Sequence, residues 1–109
     1  MEPVDIDPPR GPLEPVARLT VDKMELERRF GLRFVPVEND LAPAVLARAR
    51  LSDGTLVGFA RLLHDTASGV EVWQYAEREP RDVLIQLLDE TGLTHEQVAW
   101  LCAPRSPSP

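Results

Sequence analysis

The chain has 109 residues, 43% hydrophobic and 28% charged, with a net charge of −6. That length can bury one core without metal or disulfide, and the acidity argues against a protein whose main task is gripping nucleic acid or anionic membrane, since phosphate binding needs a surplus of Lys and Arg. A lone Cys102 excludes an internal disulfide, and no apolar run approaches the ~20 residues that span a bilayer. Met1-Glu2-Pro3-Val4-Asp5 has neither the basic start nor the apolar run of a secretory signal, so the expected setting is the reducing cytoplasm.

Five of the eleven prolines fall within the first fifteen residues, and Pro104, Pro107 and Pro109 close the sequence. Proline removes a backbone donor, so the expectation is a flexible Pro-rich tail over 1–18, one α+β domain over 19–103 and a second flexible tail over 104–109. The aliphatics of the first tail, Val4, Ile6, Leu13 and Val16, would serve as anchors if it orders on a partner.

Thr20 to Phe30 reads as a short helix. Thr20 is the expected N-cap, acids fall early, Arg28 and Arg29 fall in the last turn, and Gly31 suits the left-handed position after the helix. Val21, Met24 and Phe30 form its expected buried stripe. Leu32 to Val37 reads as a strand, with Pro36 marking an edge or an end, and Asn39 to Pro43 as a turn or short loop.

Val45 to Leu51 and Leu56 to Leu63 are apolar-rich runs around Ser52-Asp53-Gly54-Thr55, and Asp-Gly is a strong two-residue hairpin turn. Pairing Ser52 with Thr55 sets Leu51 against Leu56, Ala49 against Gly58, Ala47 against Ala60 and Val45 against Leu62. That face is apolar and mostly small, suited to a close-lying helix. The opposite face pairs Arg50 with Val57, Arg48 with Phe59 and Leu46 with Arg61. Val70 to Tyr75 reads as a third strand, with Val70 and Val72 on one side and Trp73 and Tyr75 on the other.

Pro80 is well placed to open a helix over Arg81 to Thr91, with Val83, Leu84, Leu87 and Leu88 as its apolar stripe and Gly92 as its stop. Thr94-His95-Glu96-Gln97 matches a capping box and predicts a second helix to Cys102. The pair has the spacing of a helix-turn-helix, but its second helix offers His95, Glu96, Gln97 and Trp100 where base readout favours Arg, Lys, Asn or Gln.

No catalytic constellation is apparent. His64 and Asp65 are neighbours whose side chains point apart on a strand. His95 and Cys102, seven residues apart on a helix, would stand about 10 Å from each other, beyond hydrogen-bond reach. No Gly-rich phosphate loop, metal-ligand spacing or Gly-x-Ser-x-Gly occurs, and no cofactor is called for.

The expected fold is α+β: a three- or four-stranded antiparallel meander sheet, with an N-terminal helix and a C-terminal helical pair packed on one face. The expected function is that of a small acidic non-catalytic module that binds and occludes a protein partner, a basic one by charge complementarity, as an inhibitor, immunity-type antagonist or accessory regulator, through an Arg–aromatic sheet face, the acidic helices or both. The expected contact residues are Arg48, Arg50, Phe59, Arg61, Trp73 and Tyr75 on the other face, which is either open or buried by a second copy in a homodimer. Guanidinium and aromatic groups carry much of the binding energy at interfaces, although Arg can equally stack on those rings within the protein. The alternatives are a helix-turn-helix DNA-binding regulator and a small enzyme or enzyme subunit.

Overall fold

In the computed structural model, residues 1–4, 14–37, 43–63, 69–75 and 78–101 are described, with 100 and 101 described by backbone alone. The elements in chain order are β1 (Glu2–Val4), β2 (Glu14–Leu19), α1 (Lys23–Phe30), β3 (Val35–Val37), β4 (Ala44–Arg50), β5 (Leu56–Leu62), β6 (Val70–Gln74), α2 (Pro80–Thr91), a 3₁₀ turn (His95–Gln97) and β7 (Val98–Leu101). The seven strands form one antiparallel sheet in the order β1-β4-β5-β6-β2-β7, and β3 joins β4 beside β1. The fold is α+β, as the sequence indicates, but the sheet is larger than a meander of three or four strands.

The extra strands come partly from the segment expected to be a tail. β2 lies between β6 and β7, and its Val16, Ala17 and Leu19 are fully buried. The ladder to β6 shifts between Pro15 and Ala17, so Val16 is an extra residue and two consecutive side chains can turn inward. Proline density does not exclude strands here, because Pro3 sits in an edge strand and Pro15 near the start of the interior strand β2, before its ladder to β7 begins, places that tolerate a missing N–H. Residues 5–13 and the expected tail over 104–109 lie outside the described residues.

α1 begins later than Thr20, with Asp22 before its first turn, and ends at Gly31, whose φ of 70° is left-handed and whose N–H donates to the Glu27 carbonyl. Of the expected stripe, Phe30 packs against the core but Met24 does not. Leu26 is the fully buried residue of the helix, Val21 is buried ahead of it, and Met24 is 70% exposed. Ion pairs of Lys23 with Glu27 and of Arg28 with Glu25 line its outer side.

α2 follows the sequence reading closely. Pro80 opens it, Val83, Leu84, Leu87 and Leu88 are buried, and Gly92 closes it at φ 76° with its N–H on the Leu88 carbonyl at 2.9 Å. Beyond it the expectation of a second helix fails. The capping box forms, but it opens only the 3₁₀ turn, after which the chain becomes β7. The Thr20 N–H donates to the Gln97 carbonyl at 2.8 Å, drawing Val98 onto the outer side of β2, where the ladder offers bonds that a free helix end lacks. The helical pair, and with it the helix-turn-helix geometry, is not formed.

The hairpin at Asp53-Gly54 exists, but its register is displaced by one residue. Arg50 pairs with Leu56, Ala49 with Val57, Ala47 with Phe59 and Val45 with Arg61. The loop has three residues, Ser52-Asp53-Gly54. Leu51 N–H donates to the Thr55 carbonyl at 2.8 Å, Gly54 N–H donates to the Leu51 carbonyl at 2.9 Å, and Gly54 takes φ 92°. This is a tight turn closed by a glycine bulge rather than the two-residue turn that Asp-Gly suggests. The displacement leaves β4 as expected and turns β5 over. Val57 and Phe59 enter the core beside Ala47 and Ala49, whereas Gly58 and Ala60 go to the other face. The same turn carries Leu56 and Leu62 to the other face and Arg61 to the helix side, so the observed register trades two leucines at the ends of β5 for Val57 and Phe59 in its middle, which are 0% and 1% exposed.

Candidate functional site: the sheet face opposite the helices

The core cluster unites Ala47, Ala49, Val57, Phe59 and Val72 of the sheet with Leu26 of α1 and the apolar stripe of α2. Alternation then assigns the opposite face. Its cross-strand rows run Arg50–Leu56, Arg48–Gly58–Trp73 and Leu46–Ala60–Glu71, with Tyr75 at the end of β6 beside Leu56. β1 and β3 extend these rows, Glu2 opposite Arg50, Val4 opposite Arg48, Val35 opposite Leu46 and Val37 opposite Ala44. No described helix residue belongs to this face.

Four of the six expected contact residues are brought together here: Arg48, Arg50, Trp73 and Tyr75. The other two are not. Phe59 is 1% exposed in the core, and Arg61 is on the helix-side face, where its Nη1 donates to the Gly69 carbonyl at 2.8 Å. Both corrections follow from the one-residue displacement of β5.

The centre of the face is tightly built. The guanidinium of Arg48 lies 4.8 Å from the centroid of the Tyr75 ring, and its Nε donates to the Tyr75 hydroxyl at 3.0 Å. Arg48 is 6% exposed, so it is a support beneath the surface and not an outstretched cation. The ring packs closely over Gly58: a Cβ there would stand 3.2 Å from Tyr75 Cε1 and 3.3 Å from Leu46 Cδ1. Arg50 is exposed and Trp73 half-buried. Toward the other end, Val35 and Leu62 are 37% and 38% exposed, beside half-buried Val37 and Ala60. Ala60 and Leu62 are misplaced by the sequence pattern because it turns β5 over, whereas Val35 and Val37 belong to β3. The alternation of Val35 and Val37 around Pro36 was the available signal.

The hairpin that carries this face is fixed from the other side by a polar network that sequence patterning does not show. Arg78 Nη1 donates to Asp53 Oδ2 at 3.0 Å, Thr55 Oγ1 at 2.8 Å and Gln86 Oε1 at 2.8 Å. Asp53 Oδ1 accepts from the Thr55 N–H at 3.0 Å, and the bonds from Thr55 and Gln86, with the charge of Arg78, hold its carboxyl at about 2 against a usual 3.8. Glu90 accepts from the Ser52 N–H with both oxygens at 3.0 Å and from the Ser52 hydroxyl at 2.9 Å. Burial works to raise the Glu90 carboxyl, but the bonds from Ser52 and Gln86 and the Met1 ammonium at 3.1 Å outweigh it and bring it to about 2. Gln74 is fully buried; its Nε2 donates to Glu14 Oε1 and to the Arg78 carbonyl, and its Oε1 accepts from the Arg78 N–H.

Among the described residues no cluster of His, Cys, Asp and Glu could hold a metal ion, and no helix is long and apolar enough to cross a membrane. His95 is exposed in the 3₁₀ turn, while His64, Asp65 and Cys102 lie outside the described residues. Comparison with protein-family models, with curated proteins and with solved structures gives no match.

Proposed function

We propose that this chain is a small, non-catalytic, cytoplasmic protein-binding module that occludes a protein partner with the sheet face opposite its helices, in the manner of an inhibitor, immunity-type antagonist or accessory regulator. The observation that carries the reading is the Arg48–Tyr75 stack over Gly58. It holds an aromatic ring and a guanidinium in one geometry before any partner arrives. Ordering side chains at an interface costs free energy, so a surface that is already ordered binds with less of that cost. Around the stack lie exposed Arg50, half-buried Trp73 and the aliphatics Val35 and Leu62, a mixture typical of a hot-spot cluster with an apolar flank. The acidic charge of the whole chain speaks against nucleic acid as the partner. A second copy docking face to face would use the same surface.

The test is capture from lysate of the native host with wild-type protein and with R50A/L62S/W73A, which changes exposed Arg50 and Leu62 and half-buried Trp73. The variant should keep the wild-type circular dichroism spectrum and lose the captured species. Retention of the same species at the same yield by the folded variant removes this face as the binding surface. Light scattering on both proteins separates a second copy from a foreign partner.

A further inference from the structure

β1 and β3 each have three residues with a proline in the middle, and they pair one after the other along the same side of β4. The direction of their backbone groups follows from the other side of that strand. Leu51 N–H donates to the Thr55 carbonyl at 2.8 Å and Leu63 N–H to the Pro43 carbonyl at 3.0 Å, so the odd-numbered residues of β4 aim their N–H and C=O groups at β5. The even-numbered residues, Ala44, Leu46, Arg48 and Arg50, therefore aim theirs at Val37, Val35, Val4 and Glu2. Pro3 and Pro36, opposite Ala49 and Val45, are left as the residues that face outward. At both places where this edge would present an outward N–H, the residue has none.

We propose that Pro3 and Pro36 close this edge of the sheet to a second copy of the chain. An unprotected antiparallel edge is self-complementary about a two-fold axis, so an identical edge is a ready partner for it. The need for closure is local: Val35 and Val37 give the edge the β-branched character that favours strand addition, and Val35 is exposed. The opposite edge, β7, is blunted differently, by its four-residue length and by a register shift between Arg18 and Leu19. This inference concerns an edge and not the binding face, and it stands or falls independently of the binding reading.

The experiment compares the mass of wild-type protein and of P3T/P36T by light scattering over a wide range of concentration. Threonine restores the N–H and favours extended backbone. The variant should keep the wild-type circular dichroism spectrum while its mass rises with concentration to about twice that of wild type, as a closed two-fold pair requires. Adding R50A/W73A should leave that rise unchanged, which separates edge pairing from contact through the face. A folded P3T/P36T protein with the wild-type mass at every concentration overturns the proposal. If the double variant does not fold, P3T and P36T are measured singly by the same criterion. Failure of these as well would mean that the prolines are needed to form the strands, and the edge-closing role would fall.

Discussion

Glu90, in the last turn of α2, accepts the backbone N–H of Ser52, 38 residues earlier, with both carboxylate oxygens at 3.0 Å, so a helix end holds the hairpin turn in place. Asp53 in the same turn accepts from Thr55 and Arg78. Both carboxyls lie at about 2, below their usual 4.5 and 3.8. A carboxyl depressed in the folded state contributes stability that is complete above its unfolded value and is lost as the pH falls through its folded value. The urea midpoint should therefore hold down to about pH 4.5 and then decline toward pH 2. D53N/E90Q should start lower at neutral pH and decline less steeply over that interval. An equally steep decline in the double variant would show that these two groups are not its source.

Arg78 is the hub of the same network, one Nη1 atom serving Asp53, Thr55 and Gln86. R78M keeps the apolar stem and removes all three bonds. Because the side chain is one-third exposed, water replaces part of what is lost, and the cost should be about 1–2 kcal/mol in urea unfolding. A change within measurement error would mean that the turn is held by its own glycine bulge and by Glu90.

Two glycines with positive φ should respond differently to the same substitution. Gly54 has φ 92° and nothing within 4 Å of a built Cβ, so G54A carries backbone strain alone, about 1 kcal/mol. Gly69 has φ 105°, and a Cβ there would lie 2.1 Å from the Leu19 carbonyl oxygen, which is backbone in β2 and cannot swing aside. G69A must also push two strands apart, and should cost about 3 kcal/mol or more. Thermal melts of the pair decide the matter: equal losses would contradict the close approach of Gly69 to β2.

What the sequence made legible was local. Pro80, the stripe from Val83 to Leu88 and Gly92 are signals confined to one helix, and the helix formed as read. The turn at Asp53-Gly54 was equally local, but the number of residues in it was not. That number decides which β5 side chains meet the helices, and the two choices, Leu56, Gly58, Ala60 and Leu62 or Val57, Phe59 and Arg61, are separated only by how each set packs against α1 and α2. The candidate site inherited this division. Arg48 and Arg50 belong to the strand that kept its faces, and Trp73 and Tyr75 alternate cleanly in β6, whereas Phe59 and Arg61 belong to the strand that turned over. β2 and β7 were illegible for a related reason. Each satisfies its ladder with distant residues, Leu19 with Val70 on one side and Val98 on the other, and no windowed pattern of prolines or capping residues reports such pairings.

The register itself can be tested with two aromatic truncations. Phe59 is 1% exposed and stands opposite Ala47 in the core, whereas Trp73 stands opposite Gly58 on the face away from the helices and is half-buried. Truncating a buried Phe removes its transfer free energy and leaves a cavity, so F59A should cost about 3–5 kcal/mol and reduce every activity in proportion to the folded fraction. W73A loses contact on one side only and should cost about 1–2 kcal/mol, leaving a folded protein at room temperature. On the binding reading, W73A then loses partner capture while folded, and F59A loses it only by unfolding, so capture by F59A should return with a stabilising osmolyte. The reverse order of stabilities would place Phe59 on the open face and restore the pairing of Arg48 with Phe59.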